Sequence, residues 1–133
     1  MEVISVDFSK MLLRPCIFIS TISENGVSNA APFGFNSPAT TKPPMYGFCS
    51  EVEHDTWRNI KANEEFVVNL VGESFGPLME PLSRDLPYEI SEIVEFGLSK
   101  VPSKMVEASR IGEAYGWMEC RMSSFEELSP RAV

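Results

Sequence analysis

Histidine is nearly absent from this sequence: His54 stands alone among 133 residues. A metal centre built on several imidazoles is therefore excluded, and a Ser-His-Asp triad has only one possible base. Cysteine is scarce too. Cys16, Cys49 and Cys120 are far apart and odd in number, so no paired spacing suggests zinc or an iron–sulfur cluster. Cys16 and Cys49 lie in apolar runs and read as small core residues, a usage that fits a reducing compartment. Positive charge is in deficit, with 19 acidic against 11 basic residues and a net charge of −8. That argues against a nucleic-acid partner, because backbone binding needs Lys and Arg to displace counterions.

Long apolar runs are missing as well. None approaches the roughly 20 residues that cross a bilayer. The opening stretch MEVISVDFSKML lacks the basic region and apolar core of a signal peptide. The expected location is the cytoplasm, with no membrane partner. No GxGxxG follows a strand, and GxxxxGK[ST] does not occur. Carboxylates are plentiful, but none forms a convincing acid–base pair. No catalytic side chain and no metal site is expected.

What remains is the composition of a packed domain. The length suits one domain, residues 1–133, and 44% hydrophobic residues suffice for a core. Arg14 to Ile22 (RPCIFISTI) is rich in β-branched and aromatic residues and reads as a strand. The Asn25-Gly26 pair that follows predicts a hairpin with a type I′ turn. VSNAAPFGF then returns antiparallel, and Pro32 keeps it from being a fully bonded central strand. NSPATTKPP reads as an irregular crossover, and Met45 to Ser50 as a short strand. Thr56 to Ala62 reads as a short helix with Asp55 as its N-cap. Glu65 to Gly72 (EFVVNLVG) is the clearest strand, and a central one. SFGPLMEPLS has one or two helical turns, Ile90, Ile93 and Val94 stand at helical spacing before Gly97, and LSKVPSKMVEASRIGEA wraps the surface. Tyr115 to Ser124 reads as a last strand. The fold class is mainly β, antiparallel, with short helices and a small barrel.

Two segments invite a functional reading. NAAPFGFNSP sets polar residues and glycine among aromatics. At the helix start, His54, Thr56 and Arg58 place three donors within five residues, where free amides and the helix dipole favour an anion. His54 has two readings there, an exposed loop residue or a donor to that anion. Arg58 has two readings as well, a donor to that anion or an ordinary solvated helix residue.

Taken in order, GVSNAAPFGFNSPATTKPPMYGFCS and HDTWRNIKANEEFVVNLV resemble the flavin reductase-like family, the FMN-binding split-barrel proteins that include flavoredoxins. The similarity runs from about Arg14 to about Arg121 and is strongest over Gly26 to Leu70. It implies a Greek-key split β-barrel, FMN as cofactor, and a homodimer with FMN near the subunit interface. Ala31, Pro32, Phe33, Gly34 and Phe35 would wall the isoalloxazine ring and ribityl chain, with polar contacts from Asn36 and Ser37. Ser50 would end the next strand beside the same cofactor. Thr56 would hydrogen-bond the phosphate, Asp55 would cap the helix, and Asn59 matches the same pattern. His54 stands where a lysine is common, so the phosphate would meet a donor without fixed charge. The connection from Cys49 to Asp55 is short for the family. The family's further strands past GWMECRM have no counterpart here, so a shortened domain or a fragment is expected. The resemblance implies a flavin reductase taking electrons from NADH or NADPH, or a flavoredoxin-like carrier served by a redox protein. The alternative is a non-catalytic FMN or small-ligand binding module, or a dimeric scaffold without cofactor.

Overall fold

The computed structural model describes Ser5, Asp7 and residues 13–133. Most of the amino-terminal stretch judged above for leader character lies outside the described residues.

The centre is a four-stranded antiparallel sheet in the order β2–β1–β5–β8. Its strands are β1 (Ile17–Ile22), β2 (Ser28–Phe33), β5 (Glu65–Leu70) and β8 (Gly116–Arg121). β5 lies between β1 and β8, as its apolar run predicts, and β2 with Pro32 lies at the edge. β1 starts at Ile17, three residues later than expected.

The hairpin from β1 to β2 forms, but not through a type I′ turn. Only Gly26 takes a positive φ, at 82°, and Asn25 does not. The Gly26 amide donates to the Ser23 carbonyl and the Ser23 amide to Val27. This is the three-residue alternative, in which a tight turn is followed by one left-handed residue.

A larger correction concerns residues 36–44. They are not an irregular crossover: Asn36–Thr41 form β3, which pairs antiparallel with β4 (Pro44–Phe48), the short strand expected from Met45, with a bulge between Pro38 and Thr40. β3 is exposed beyond Asn36. With neither face buried it carries no apolar alternation, so its composition gave no strand signal.

Both faces of the sheet are covered. On one, Ile17, Ile19, Phe33, Phe66 and Val68 pack with Ile60 of helix α1 (Asp55–Asn63). Tyr46 and Phe48 of β4 and Met118, Cys120 and Met122 of the last strand region close over them. On the other, Phe18 and Ala30 meet Phe75, Leu82, Ile93 and Ile111. These come from a 3-10 turn (Glu73–Phe75), α2 (Gly76–Leu82), α3 (Glu92–Glu95) and a small ribbon of β6 (Lys100–Val101) and β7 (Arg110–Ile111). The spacing of Ile90, Ile93 and Val94 translates into one buried residue, Ile93, with the other two exposed. Gly97 ends that turn at φ 69°.

Asn69 fastens the wrapping segment from inside the sheet. Its Nδ2 donates to Ser20 Oγ and to the Phe18 carbonyl, and its Oδ1 accepts the Ile111 amide at 2.8 Å. Ser20 Oγ donates to the Ser109 carbonyl. A fully buried amide with all these partners satisfied gives the long segment one seat. At the carboxyl end, Ser50 and Val133 exchange amide–carbonyl bonds at 2.7 and 2.9 Å. The sheets do not close into a continuous cylinder; this is the arrangement of a split barrel. Among the described residues no helix is long and apolar enough to cross a membrane.

Candidate functional site

The two segments singled out in the sequence meet. Phe33 ends β2 and packs edge-on to His54, with ring centroids 6.3 Å apart, and to Phe48 at 5.0 Å. His54, not Asp55, holds the N-cap position of α1, and Asp55 is the first helical residue. An imidazole cannot reach back as a short hydroxyl or carboxylate does, and no side chain caps this end. Among the described residues the first-turn amides therefore have no side-chain capping acceptor. His54 Nδ1 is buried without a hydrogen-bond partner, while Nε2 lies 4.0 Å from Glu51.

From Phe33 the chain turns a corner into β3. Asn36 holds that corner: its Nδ2 donates to the Phe33 and Pro15 carbonyls, and its Oδ1 accepts the Tyr46 hydroxyl. Its amide is thus committed inside the chain. Gly34, Phe35 and Ser37 face outward, and Ala31 and Pro32 are half-buried. A Cβ added to Gly34 would touch nothing within 4 Å, so the space beside this backbone is open. The Ser37 hydroxyl bonds only the neighbouring Pro38 carbonyl.

Thr56 and Asn59 point the other way. Thr56 is 1% exposed, and its hydroxyl donates to Asn29 Oδ1 at 3.1 Å. Asn59 Nδ2 donates to Thr21 Oγ1, and its Oδ1 accepts the Tyr88 hydroxyl at 2.6 Å. Asn29 Nδ2 in turn donates to Glu92 Oε1 at 3.1 Å. The result is a buried polar network tying α1 to the sheet edge and to the 88–92 segment. The hydroxyl expected to reach a phosphate is inside it. Burial pushes the Glu92 carboxyl above its ordinary range against the bonds from Ala30 and Asn29. Asp55 is raised too, mainly by burial, with Arg58 opposing and Asp85 and Glu89 adding to the rise.

Ser50 is buried beneath Val133 and lines a cleft of about 810 Å³. Phe48, Trp57, Phe66, Cys120 and Phe125 also line it. Cys49 borders the same cleft and is exposed, not a core residue, because β4 turns that position outward. Among the described residues no group of His, Cys, Asp and Glu could hold a metal ion.

Two contributions escaped the sequence reading. Glu92 and Tyr88 belong to the network; their only sequence sign is that Glu92 immediately precedes the buried Ile93. Arg14 sets its guanidinium 4.1 Å over the Phe35 ring. Its only sign is its place before the apolar run.

The flavin reductase like domain matches residues 9–128. The chain belongs to that family. An uncharacterized protein of Methanothermobacter thermautotrophicus is 34% identical over 113 residues, 85% of this chain and 53% of that protein. One from Halalkalibacterium halodurans is 36% identical over 119 residues, 86% and 57% respectively. The chain thus spans little more than half the length of these relatives. Of solved structures, the 2-nitrobenzoate 2-nitroreductase of Pseudomonas fluorescens superposes with TM-score 0.82 at 28% identity, over 90% of this chain and 58% of that one. Flavoredoxin of Desulfovibrio vulgaris gives 0.79 at 15% identity, over 90% and 64%; this last likeness speaks to the fold alone.

Proposed function

We propose that this split-barrel domain binds FMN at the corner between β2 and β3 and serves as an NAD(P)H-dependent flavin reductase. The observation that carries the reading is the juxtaposition at Phe33: an outward, open backbone at Gly34–Phe35 beside an uncapped helix start with a buried, unpartnered His54 Nδ1. A flat ring with polar edges and an anionic tail matches that pairing of surfaces. Family membership and the flavoredoxin and nitroreductase folds support it.

Each residue has a task in this reading. Phe35 and the Ala31–Gly34 backbone wall the ring. Asn36 keeps the corner rigid rather than touching the cofactor through its amide. Ser37 offers a hydroxyl at the rim, and Ser50 borders the cleft behind. His54 and the amides of Asp55, Thr56 and Trp57 receive the phosphate, with the helix dipole in support. Thr56 and Asn59 act from inside by holding α1 against β1 and β2. When bound, the flavin supplies the two-electron chemistry and the protein supplies position and electrostatics. That division needs no side-chain acid or base. A homodimer in the cytoplasm, with a nicotinamide nucleotide as donor, completes the proposal.

The test is spectroscopic. The purified protein is expected to be yellow, or to gain flavin absorbance near stoichiometry when FMN is added. A colourless protein that FMN does not change defeats the reading. Oxidation of NADH or NADPH with free FMN present then identifies a reductase. An FMN-loaded protein inert to both nucleotides would instead be a carrier.

A further inference from the structure

Arg14 stands half-buried at the proposed cofactor corner. Its guanidinium carbon lies 4.1 Å from the Phe35 ring centroid. The next residue, Pro15, gives its carbonyl to Asn36 Nδ2 at 2.9 Å, so this arginine is tied to the corner itself. Arg14 Nε is buried and has no hydrogen-bond partner.

Four of the chain's other arginines are treated differently. Arg84, Arg110, Arg121 and Arg131 each meet a carboxylate, from Glu80, Glu119, Glu65 and Glu51. Arg58 stacks on Tyr88 beside Asp55. Among the described residues Arg14 meets no carboxylate. In a chain of net charge −8 that is not for want of acids. An N–H removed from water without an acceptor is costly, and the cost vanishes when a ligand supplies the acceptor. The contact with Phe35 holds the guanidinium, with its fork of donors, at the corner. That fork matches phosphate oxygens in pairs, which an ammonium cannot do.

We infer that Arg14 is a phosphate-recognition residue, taking a phosphate of a nucleotide laid against Phe35. The inference rests on the flavin reading above. FMN and the nicotinamide donor both carry such a group, and binding measurements separate them. The variants are R14Q and R14K. FMN and riboflavin are titrated by flavin fluorescence, and NADH and NADPH by their own fluorescence. A denaturant midpoint for each variant reports on the fold.

Loss of about tenfold or more in FMN affinity in R14Q, with riboflavin unchanged, assigns Arg14 to the flavin phosphate. Unchanged flavin affinities with the same loss for the nicotinamide nucleotide assign it to the donor. R14K is expected to lose the same ligand to a smaller extent, since it keeps the charge without the fork. R14K alone decides the matter if R14Q does not fold. Equal weakening of FMN and riboflavin, or no change for any nucleotide, overturns the inference while leaving FMN binding by the unmodified protein intact. If the unmodified protein binds no FMN, the flavin reading itself fails and this one with it.

Discussion

The start of α1 and the corner at Phe33–Ser37 entered the account through the same kind of sequence signal, yet the molecule treats them oppositely. At α1, Thr56 and Asn59 face inward, and each is 1% exposed within a closed set of hydrogen bonds. At the corner, Phe35 is 49% exposed and the space beside Gly34 is open. The difference separates support from contact. Polar side chains next to a ligand site do not all touch the ligand. Some hold the helix whose backbone amides do, and others, such as Asn36, hold the corner whose backbone and rings do. Only Phe33 belongs to both, packed in the core and edge-on to His54.

That contrast can be broken at Phe33 with the largest effect. Phe33→Ala removes a ring that is 5% exposed and contacts both Phe48 and His54. A stability loss of about 3–5 kcal/mol is expected by denaturant unfolding. A loss below about 1 kcal/mol would show that the corner is not anchored to the core.

Thr56→Val tests the inward half. Asn29 Oδ1 keeps only the 3.4 Å contact from Thr21, so stability falls by about 1–2 kcal/mol. The ratio of FMN to riboflavin affinity stays as it was. A selective loss of FMN would return Thr56 to the phosphate.

Glu92→Gln sharpens the same half through pH. Burial raises the Glu92 carboxyl, so folding favours its protonated form. The resulting stability is present below the ordinary carboxyl range, about pH 4.3, and is lost as pH rises through the raised folded-state value. The Gln variant cannot lose it, so its unfolding midpoint should decline less over that interval than the parent's. Parallel pH profiles would show that Glu92 ionises without cost.

Phe35→Ala should have the smallest effect on folding, within about 0.5 kcal/mol, because the ring is half exposed. FMN and riboflavin should weaken together, since the ring wall and not the phosphate is lost. Unchanged affinities would remove Phe35 from the wall.

The same division explains what the sequence could tell. β1 and β5 were legible because both of their faces are buried, which leaves near-continuous apolar runs. β3 was not, because an exposed strand of proline, threonine and other small residues lacks periodicity, although its partner β4 was read as a short strand. Segment order and motif located the corner and the helix start. They could not say which way a side chain points. Thr56 looked like a ligand because a hydroxyl at a helix start suits an anion, and its burial depends on Asn29, which lies 27 residues earlier. The network partners Tyr88 and Glu92 are brought in by tertiary packing alone. His54 was placed correctly at the helix start, but its N-cap position and its unpartnered Nδ1 follow from the backbone path.

Hydrogen exchange with and without FMN tests the division of labour most directly. The account predicts that FMN slows exchange at the amides of Gly34 and Phe35 and at Asp55, Thr56 and Trp57, while protection in β1 and β5 is unchanged. Protection confined to the cleft beside Phe125, or no change anywhere, would contradict it.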